Sequence, residues 1–220
     1  MSPDMPLDAA ALTAASPWGV STGVVAEITS TNDELLNRGE AGAPEGTLLF
    51  AESQTAGRGQ FQLPWSSATG LGLWFSLLLR LHINDATIPS LSAFAAVALV
   101  NTLRELGISD CRIKAPNDVL IGGKKVAGIL VETRPGRNPF AVIGIGLNVN
   151  HAPEDFPEEL RDRATSLAMA AGTQLDRNSV AAALIQALGR EARWMRSDPG
   201  ALLLCWKELL FGEASKNNLS

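Results

Sequence analysis

The residues best suited to chemistry form three short clusters, each beside a predicted strand. The first is Gln54 with the loop Gly57-Arg58-Gly59, directly after an apolar run. Glycine lets backbone N–H groups approach a ligand closely, and arginine adds a planar cationic donor, so this loop suits an anionic or urea-like ligand. The second cluster is residues 114–118 (KAPND) and the third is residues 144–148 (GIGLN). Three polar clusters on three strands predict one shared pocket.

The elements that must position these clusters alternate between strands and helices. The pattern predicts strands at 24–28, 47–53, 72–81, 113–115 and 140–150, a hairpin around Gly122-Gly123, and helices at 33–38, 88–106, 179–195 and 199–210. This mixture predicts an α+β fold with a mixed β-sheet backed by helices. We predict residues 1–20 as a flexible N-terminal leader or a short docking arm, 21–212 as the catalytic domain and 213–220 as a C-terminal tail.

Composition limits the function classes. With 220 residues, 46% of them apolar, the chain fits one domain with an ample core. Its net charge of −5 gives no general field for nucleic acid, and we expect no nucleic-acid partner. No apolar run reaches the roughly 20 residues of a membrane span, and we expect no membrane contact. Cys111 and Cys205 lack metal spacing and predict reduced thiols in a cytoplasmic protein.

Several standard sites can be excluded from the motifs. There is no GxxxxGK[ST] phosphate loop, no third glycine of a dinucleotide fingerprint and no GxSxG elbow. His82 and His151 stand alone, so neither a histidine triad nor a zinc site is expected, and each is interpreted as a surface or hydrogen-bonded residue. The remaining cations and amides suit recognition of phosphate and amide groups.

The motif set resembles that of bacterial biotin–protein ligases. The matching segments, in the order and spacing of that family, are 29–32 (TSTN), 54–59 (QTAGRG) with Trp65, 114–118, 125–132 (KVAGILVE) and 144–148. The resemblance covers about residues 22–210. It implies a catalytic fold like that of class II aminoacyl-tRNA synthetases. It also implies synthesis of biotinyl-5′-AMP from biotin and MgATP, then transfer of biotin to one lysine of a carrier protein, usually the acetyl-CoA carboxylase subunit.

The resemblance also implies roles for individual residues. The biotin contacts would be Ser30, Thr31, Asn32, Gln54, Gly57, Arg58, Lys114 and Gly128. The ATP and adenylate contacts would be Arg58, Gly59, Gln60, Trp65, Lys114, Asn117 and Asn148. Paired hydrogen bonds to the ureido ring favour biotin over lipoate, whose dithiolane has no such groups.

The catalytic residues would be Lys114, Arg58 and Asp118. Lys114 would bridge the biotin carboxylate and the α-phosphate, since a flexible ammonium can follow both anions. Asp118 would orient Mg²⁺ or lie near the acceptor amine. Lys124 and Lys125 are interpreted as a solvated hairpin end rather than as a second phosphate site.

Some positions depart from the family pattern. Gln60 and Leu63 replace expected arginines, Gln62 replaces a glycine, and Ala115 stands where tryptophan is usual, with Phe61 or Trp74 as candidates to refill the space. We therefore expect weaker retention of biotinyl-AMP.

The chain ends before the small β-rich domain usual in the family, and no helix-turn-helix fits before the first strand, so we expect no repressor. Family members often pair sheets edge to edge, which leaves a homodimer open. The alternative functions are a lipoate or other acyl-carrier ligase and a non-catalytic biotin-binding paralogue.

Overall fold

A computed structural model of the chain describes residues 5–80 and 88–212. Its seven strands form one sheet in the order β1-β2-β3-β7-β6-β5-β4. The strands are β1 (Gly23–Ile28), β2 (Leu48–Gln54), β3 (Gly72–Arg80), β4 (Cys111–Lys114), β5 (Asp118–Ile121), β6 (Lys124–Arg134) and β7 (Phe140–Asn148). Strands β1 and β2 are parallel and the other neighbouring pairs are antiparallel. The predicted mixed sheet is confirmed.

Helices cover both faces of this sheet unequally. They are α1 (Ala9–Ala15), α2 (Thr31–Glu40), α3 (Ile88–Glu105), α4 (Leu167–Ala171), α5 (Arg177–Ser197) and α6 (Pro199–Glu208). Helix α3 is rich in Ala, Val and Leu and packs against β4 to β7 on one side and against α5 and α6 on the other. Helix α2 covers part of the opposite face, where Leu35 and Leu36 pack with Leu49 and Leu78.

The two faces of the sheet carry opposite kinds of side chain. Residues paired directly across strands point to the same face. One row, on the α3 side, is entirely apolar and consists of Leu73, Leu147, Ala127, Val119 and Ile113. The adjacent row on the other face consists of Trp74, Gly146, Gly128, Asp118 and Lys114. The first row belongs to the core, and the second places predicted site residues on one line across five strands.

Residues 5–20 pack onto the domain as an arm. Helix α1 lies against α5, and Leu12 is completely buried. Arg177, only 2% exposed, lies 2.8 Å from the Glu52 carboxylate and donates to the carbonyl of Met5 at 3.0 Å. A buried arginine needs such partners, so this contact fixes the start of the arm. The described part of this segment is thus packed against the domain, and the extent of the predicted leader stays a prediction.

Among the described residues, no helix is both long and apolar enough to span a bilayer. Both cysteines are unpaired, and burial raises the pKa of each thiol. His82, the first four residues and the predicted 213–220 tail lie outside the described residues. The domain boundaries themselves stay predictions.

Candidate functional site

A cleft of about 790 Å³ lies over the polar row of the sheet. Its walls come from the start of α2, the loop after β2, the turn between β4 and β5, and the segment that follows β7. All three clusters from the sequence contribute to it. The prediction that three polar clusters share one pocket is confirmed.

Glycines form the floor of the cleft and leave room for an aromatic ring. A Cβ built on Gly146 would lie 2.4 Å from Cε2 of Trp65, and one built on Gly128 would lie 2.8 Å from its Cζ3. Real Cβ atoms do not approach other atoms so closely, so the indole of Trp65 requires glycine at both positions. Trp65 also meets Trp74 edge to face, with ring centroids 6.3 Å apart.

A β-bulge turns Lys125 into the cleft. The register of β5 against β6 shifts between Val119, which pairs with Ala127 on the core face, and Leu120, which pairs with Lys125. Val126 is the extra residue between the two pairs. Bulges commonly redirect a side chain beside a functional site. Here the bulge brings Lys125 to the face on which Leu120 lines the cleft.

The Lys125 ammonium lies at the centre of the polar row. Its Nζ is 2.7 Å from Oδ1 of Asp118 and 5.1 Å from the centroid of the Trp65 ring. It would be 3.3 Å from a Cβ on Gly128. The interpretation of Lys125 as a solvated hairpin end is therefore wrong. Lys114 faces Asp118 across the strands and lines the same cleft with an exposed side chain.

The amide of Gln54 is anchored at the start of α2. Its Oε1 accepts from the backbone N–H of Thr31 at 2.8 Å, and its Nε2 donates to the Ser67 hydroxyl at 3.2 Å. The hydroxyl of Ser30 accepts from the N–H of Asp33 and so caps α2. This end of the cleft therefore presents amide and hydroxyl groups already held in place.

Asn32 links α2 to the sheet. Its Nδ2 donates to Oε2 of Glu132 at 2.8 Å, and its Oδ1 lies 2.6 Å from the Ser76 hydroxyl. A Cβ on Gly144 would be 2.4 Å from that Oδ1. Gly144 is thus needed for close packing, and both ends of the Asn32 amide are engaged by the protein.

Arg58 ties the Gly-Arg-Gly loop to two acidic residues. Its guanidinium contacts both carboxylate oxygens of Asp33, at 2.5 and 2.6 Å, and Glu132 at 3.0 Å. The hydrogen bonds that Arg58 donates to Asp33, which have the largest effect, and those that it donates to Glu132 raise the pKa of Arg58 further. Because two carboxylates face this one cation, Arg58 holds the loop between α2 and β6. Its contact with a ligand stays a prediction.

The other predicted nucleotide contacts are arranged around the same cleft. Asn117 donates to the carbonyl of Ile129 at 2.9 Å, and Asn148 donates to the carbonyl of Thr165 at 3.0 Å. These bonds fix the orientation of both amides. Gln60 is half-buried and lines the cleft.

The loop after β2 is held by close backbone contacts. A Cβ on Gly57 would lie 2.8 Å from the carbonyl oxygen of Trp65, and the N–H of Gly59 donates to the carbonyl of Leu63 at 2.7 Å. Phe61 is 91% exposed, and the other candidate for the space at Ala115, Trp74, is fully buried beneath Trp65. Neither fills that space, and Ala115 remains exposed along the cleft.

His151 is a site residue that the sequence did not indicate. It is 4% exposed and lines the cleft, stacked on Phe156 with centroids 5.0 Å apart and edge to face with Trp74 at 5.8 Å. Its Nδ1 is buried and has no hydrogen-bond partner among the described residues. The interpretation as a surface or hydrogen-bonded histidine is therefore wrong. Burial lowers the pKa of His151 to about 4, although Asp155 opposes the change.

This buried imidazole predicts a pH dependence of stability. Between pH 6.5, its ordinary pKa, and about 4, the unfolded chain binds a proton that the folded chain excludes. The free energy of unfolding should therefore fall as the pH drops through this window, by about 1.4 kcal/mol per pH unit at most. Urea unfolding at several pH values measures this free energy. His151→Phe, which keeps a stacked ring, should lose this part of the slope; equal slopes in both proteins would contradict the assignment.

The chain is similar in sequence to one known protein family and to several curated proteins. The sequence model of the Biotin/lipoate A/B protein ligase family matches residues 24–150. The bifunctional ligase/repressor BirA of Bacillus subtilis is 42% identical over 192 residues, covering 86% of this chain and 58% of that protein. The biotin–[acetyl-CoA-carboxylase] ligase of Mycobacterium tuberculosis is 36% identical over 184 residues, covering 80% of this chain and 66% of that protein. The chain thus spans somewhat more than half the length of these curated relatives.

A solved structure shares the fold. The biotin protein ligase from Aquifex aeolicus in complex with biotin and ATP superposes with a TM-score of 0.71 at 31% identity, covering 80% of this chain and 72% of that one. The family match extends over more than half of the sequence and includes all three clusters. The chain belongs to the biotin/lipoate A/B protein ligase family.

Proposed function

We propose that this chain activates biotin with ATP to biotinyl-5′-AMP and transfers biotin to a lysine of a carrier protein. The observation that carries the proposal is the glycine-floored row of the sheet, on which Lys125 lies between Asp118 and Trp65. The relatives support it, because one is named a biotin–[acetyl-CoA-carboxylase] ligase and a structural neighbour is described as a complex with biotin and ATP.

The urea ring of biotin matches the polar end of the cleft. It offers two N–H donors and one carbonyl acceptor, and Gln54, Thr31 and Ser30 supply groups of both kinds. These side chains are already fixed by the capping of α2, so little ordering is needed on binding. A dithiolane ring has neither the N–H donors nor the carbonyl acceptor that could hydrogen-bond to these groups, which favours biotin over lipoate.

Activation brings two anions together. An oxygen of the biotin carboxylate forms a bond to the α-phosphorus, the bond from that phosphorus to the bridging oxygen breaks, and pyrophosphate leaves. We assign the stabilising cation to Lys125, because its ammonium lies directly over the glycine floor beside Trp65. Lys114, the cation expected from sequence, serves as a second positive charge along the cleft.

Transfer requires a neutral amine. The acceptor lysine attacks the acyl carbon, a C–N bond forms, the C–O bond to the phosphate breaks, AMP leaves, and the amine nitrogen gives up one proton to water. Asp118 is the carboxylate of the polar row, and we propose that the amine approaches it. The carrier would be a carboxylase subunit, as the name of the M. tuberculosis relative suggests. The unpaired thiols suit the cytoplasm, where we propose that the protein works.

The described residues do not form a magnesium cage. No group of three His, Cys, Asp or Glu among them is suited to a metal ion, and Asp118 is already paired with Lys125. Asp118 therefore fits poorly as a magnesium ligand. Mg²⁺ is usually bound largely through substrate phosphates, so we retain it only as the companion of ATP.

Ligand identity is tested by titration calorimetry. We expect biotin to bind at micromolar concentration or better and lipoate not to bind. Acid quenching after addition of ATP should then release biotinyl-AMP. Biotin binding without adenylate would favour the non-catalytic paralogue, and preferred binding of lipoate would overturn the assignment.

The glutamine at position 60 predicts that biotinyl-AMP dissociates faster than it would with an arginine there. The family pattern places an arginine here, and a charge-assisted hydrogen bond is worth about 1.5–3 kcal/mol. We expect Gln60→Arg to slow the dissociation of biotinyl-AMP by about tenfold or more, measured by chasing labelled adenylate with unlabelled ligand. An unchanged or faster off-rate in the arginine variant would show that the natural glutamine is not the cause.

A further inference from the structure

An aromatic wall, of which Trp65, His151 and Phe156 line the cleft and Trp74 is fully buried, contains an imidazole with a buried Nδ1. The rings of Trp65, Trp74, His151 and Phe156 follow one another with centroid separations of 6.3, 5.8 and 5.0 Å. Within this wall the Nδ1 of His151 is buried and has no hydrogen-bond partner among the residues that the structure describes. A buried nitrogen of this kind costs free energy in the protein alone and is typically satisfied by a ligand or a bound water.

The surroundings of His151 favour a neutral ligand group over a phosphate. Its ring contacts are aromatic, and the nearby carboxylate of Asp155 accepts from the N–H of Ala152 at 2.8 Å. A neutral imidazole carries one N–H and one lone pair, which suits the edge of a heterocycle rather than an anion. Trp65 lines the same cleft with a flat face large enough for a base to stack on.

A second polar side chain of the cleft precedes His151 by three residues in the chain. Asn148 lines the cleft too, and its Nδ2 is committed to the carbonyl of Thr165. The amide orientation is therefore fixed, as is the imidazole by its stacking on Phe156. Two oriented polar side chains beside an aromatic face form a surface that can distinguish one base from another.

We propose that His151 Nδ1 hydrogen-bonds the nucleobase of ATP and contributes to selecting adenine over other bases. The inference rests on the proposed function, and it assigns His151 to nucleotide recognition rather than to the aromatic core alone. The imidazole takes no part in bond making. Its effect is on the affinity for the nucleotide and on the preference for adenine.

Two variants separate this role from packing. His151→Phe keeps the stacked ring and removes both nitrogens, whereas His151→Asn keeps an amide near the position of Nδ1 and removes the ring. We expect His151→Phe to weaken ATP binding by about tenfold and to reduce the preference for ATP over GTP by a similar factor. Biotin affinity should change less than about twofold. His151→Asn should recover most of the ATP preference.

Calorimetric binding of ATP, GTP and biotin to the full chain gives these numbers without turnover. Unchanged ATP affinity in His151→Phe, or an equal loss for ATP and biotin together with a lower unfolding temperature, would assign His151 to packing and overturn the inference. If the wild type binds ATP but forms no biotinyl-AMP, the proposed function fails and the nucleobase contact is still decided by the ATP and GTP titrations. If it binds no nucleotide, both fail.

Discussion

Replacing Lys125 with alanine is expected to lower the rate of biotin-dependent ATP–pyrophosphate exchange by about 100- to 1,000-fold, with a much smaller effect on biotin affinity. The ammonium lies 2.7 Å from Asp118 and over the floor of the cleft, where the two anionic reactants would meet. Its stabilising effect should be greatest in the transition state, in which negative charge gathers at the α-phosphate. The loss should therefore appear in kcat.

Two neighbouring lysines provide controls for this result. Lys124 shares the hairpin but does not line the cleft, so Lys124→Ala should retain exchange within about twofold. Lys114→Ala should cost less than Lys125→Ala, since its side chain is exposed and surface charges act through water. A larger loss in Lys114→Ala would instead support the assignment made from sequence and reject the one made from geometry.

Gly146→Ala is expected to impair binding of both substrates. The added Cβ would lie 2.4 Å from Trp65, so the indole would have to leave the floor of the cleft. Loss of an aromatic stacking surface typically costs about 1–3 kcal/mol, which predicts a rise of about 5- to 160-fold in the KM for ATP.

The control for Gly146→Ala is Gly200→Ala. Its Cβ would meet the Asp198 carboxylate at an ordinary 3.5 Å in the first turn of α6, outside the cleft. Exchange in this variant should equal that of the wild type. A Gly146→Ala protein with normal KM values and an unshifted tryptophan emission would show that the glycine floor is not required.

The main elements and the three clusters could be predicted from the sequence because local signals determine them. Alternating apolar runs give the strands, and the Gly122-Gly123 turn has positive φ at both residues, as expected between β5 and β6. Helix α3 runs from Ile88 to Glu105, within one residue of its predicted end. The order of three motif clusters was enough to predict a single cleft.

The features that could not be predicted from the sequence arise from contacts between residues that are distant in the chain. Lys125 reaches the cleft through a bulge opposite Val119 and Leu120, and a strict two-residue alternation places it on the other face. The arm is held by Arg177, which follows Met5 by more than 170 residues. His151 is buried by rings from β3 and from the segment after β7, neither of which marks it in the sequence.

The most direct test of the central claim is exchange of labelled pyrophosphate into ATP by the purified wild-type chain, with and without biotin. If Lys125 and the glycine-floored cleft activate biotin, exchange requires biotin, is not supported by lipoate and is lost in Lys125→Ala. Exchange that is absent with biotin, or equally fast without it, would contradict the account.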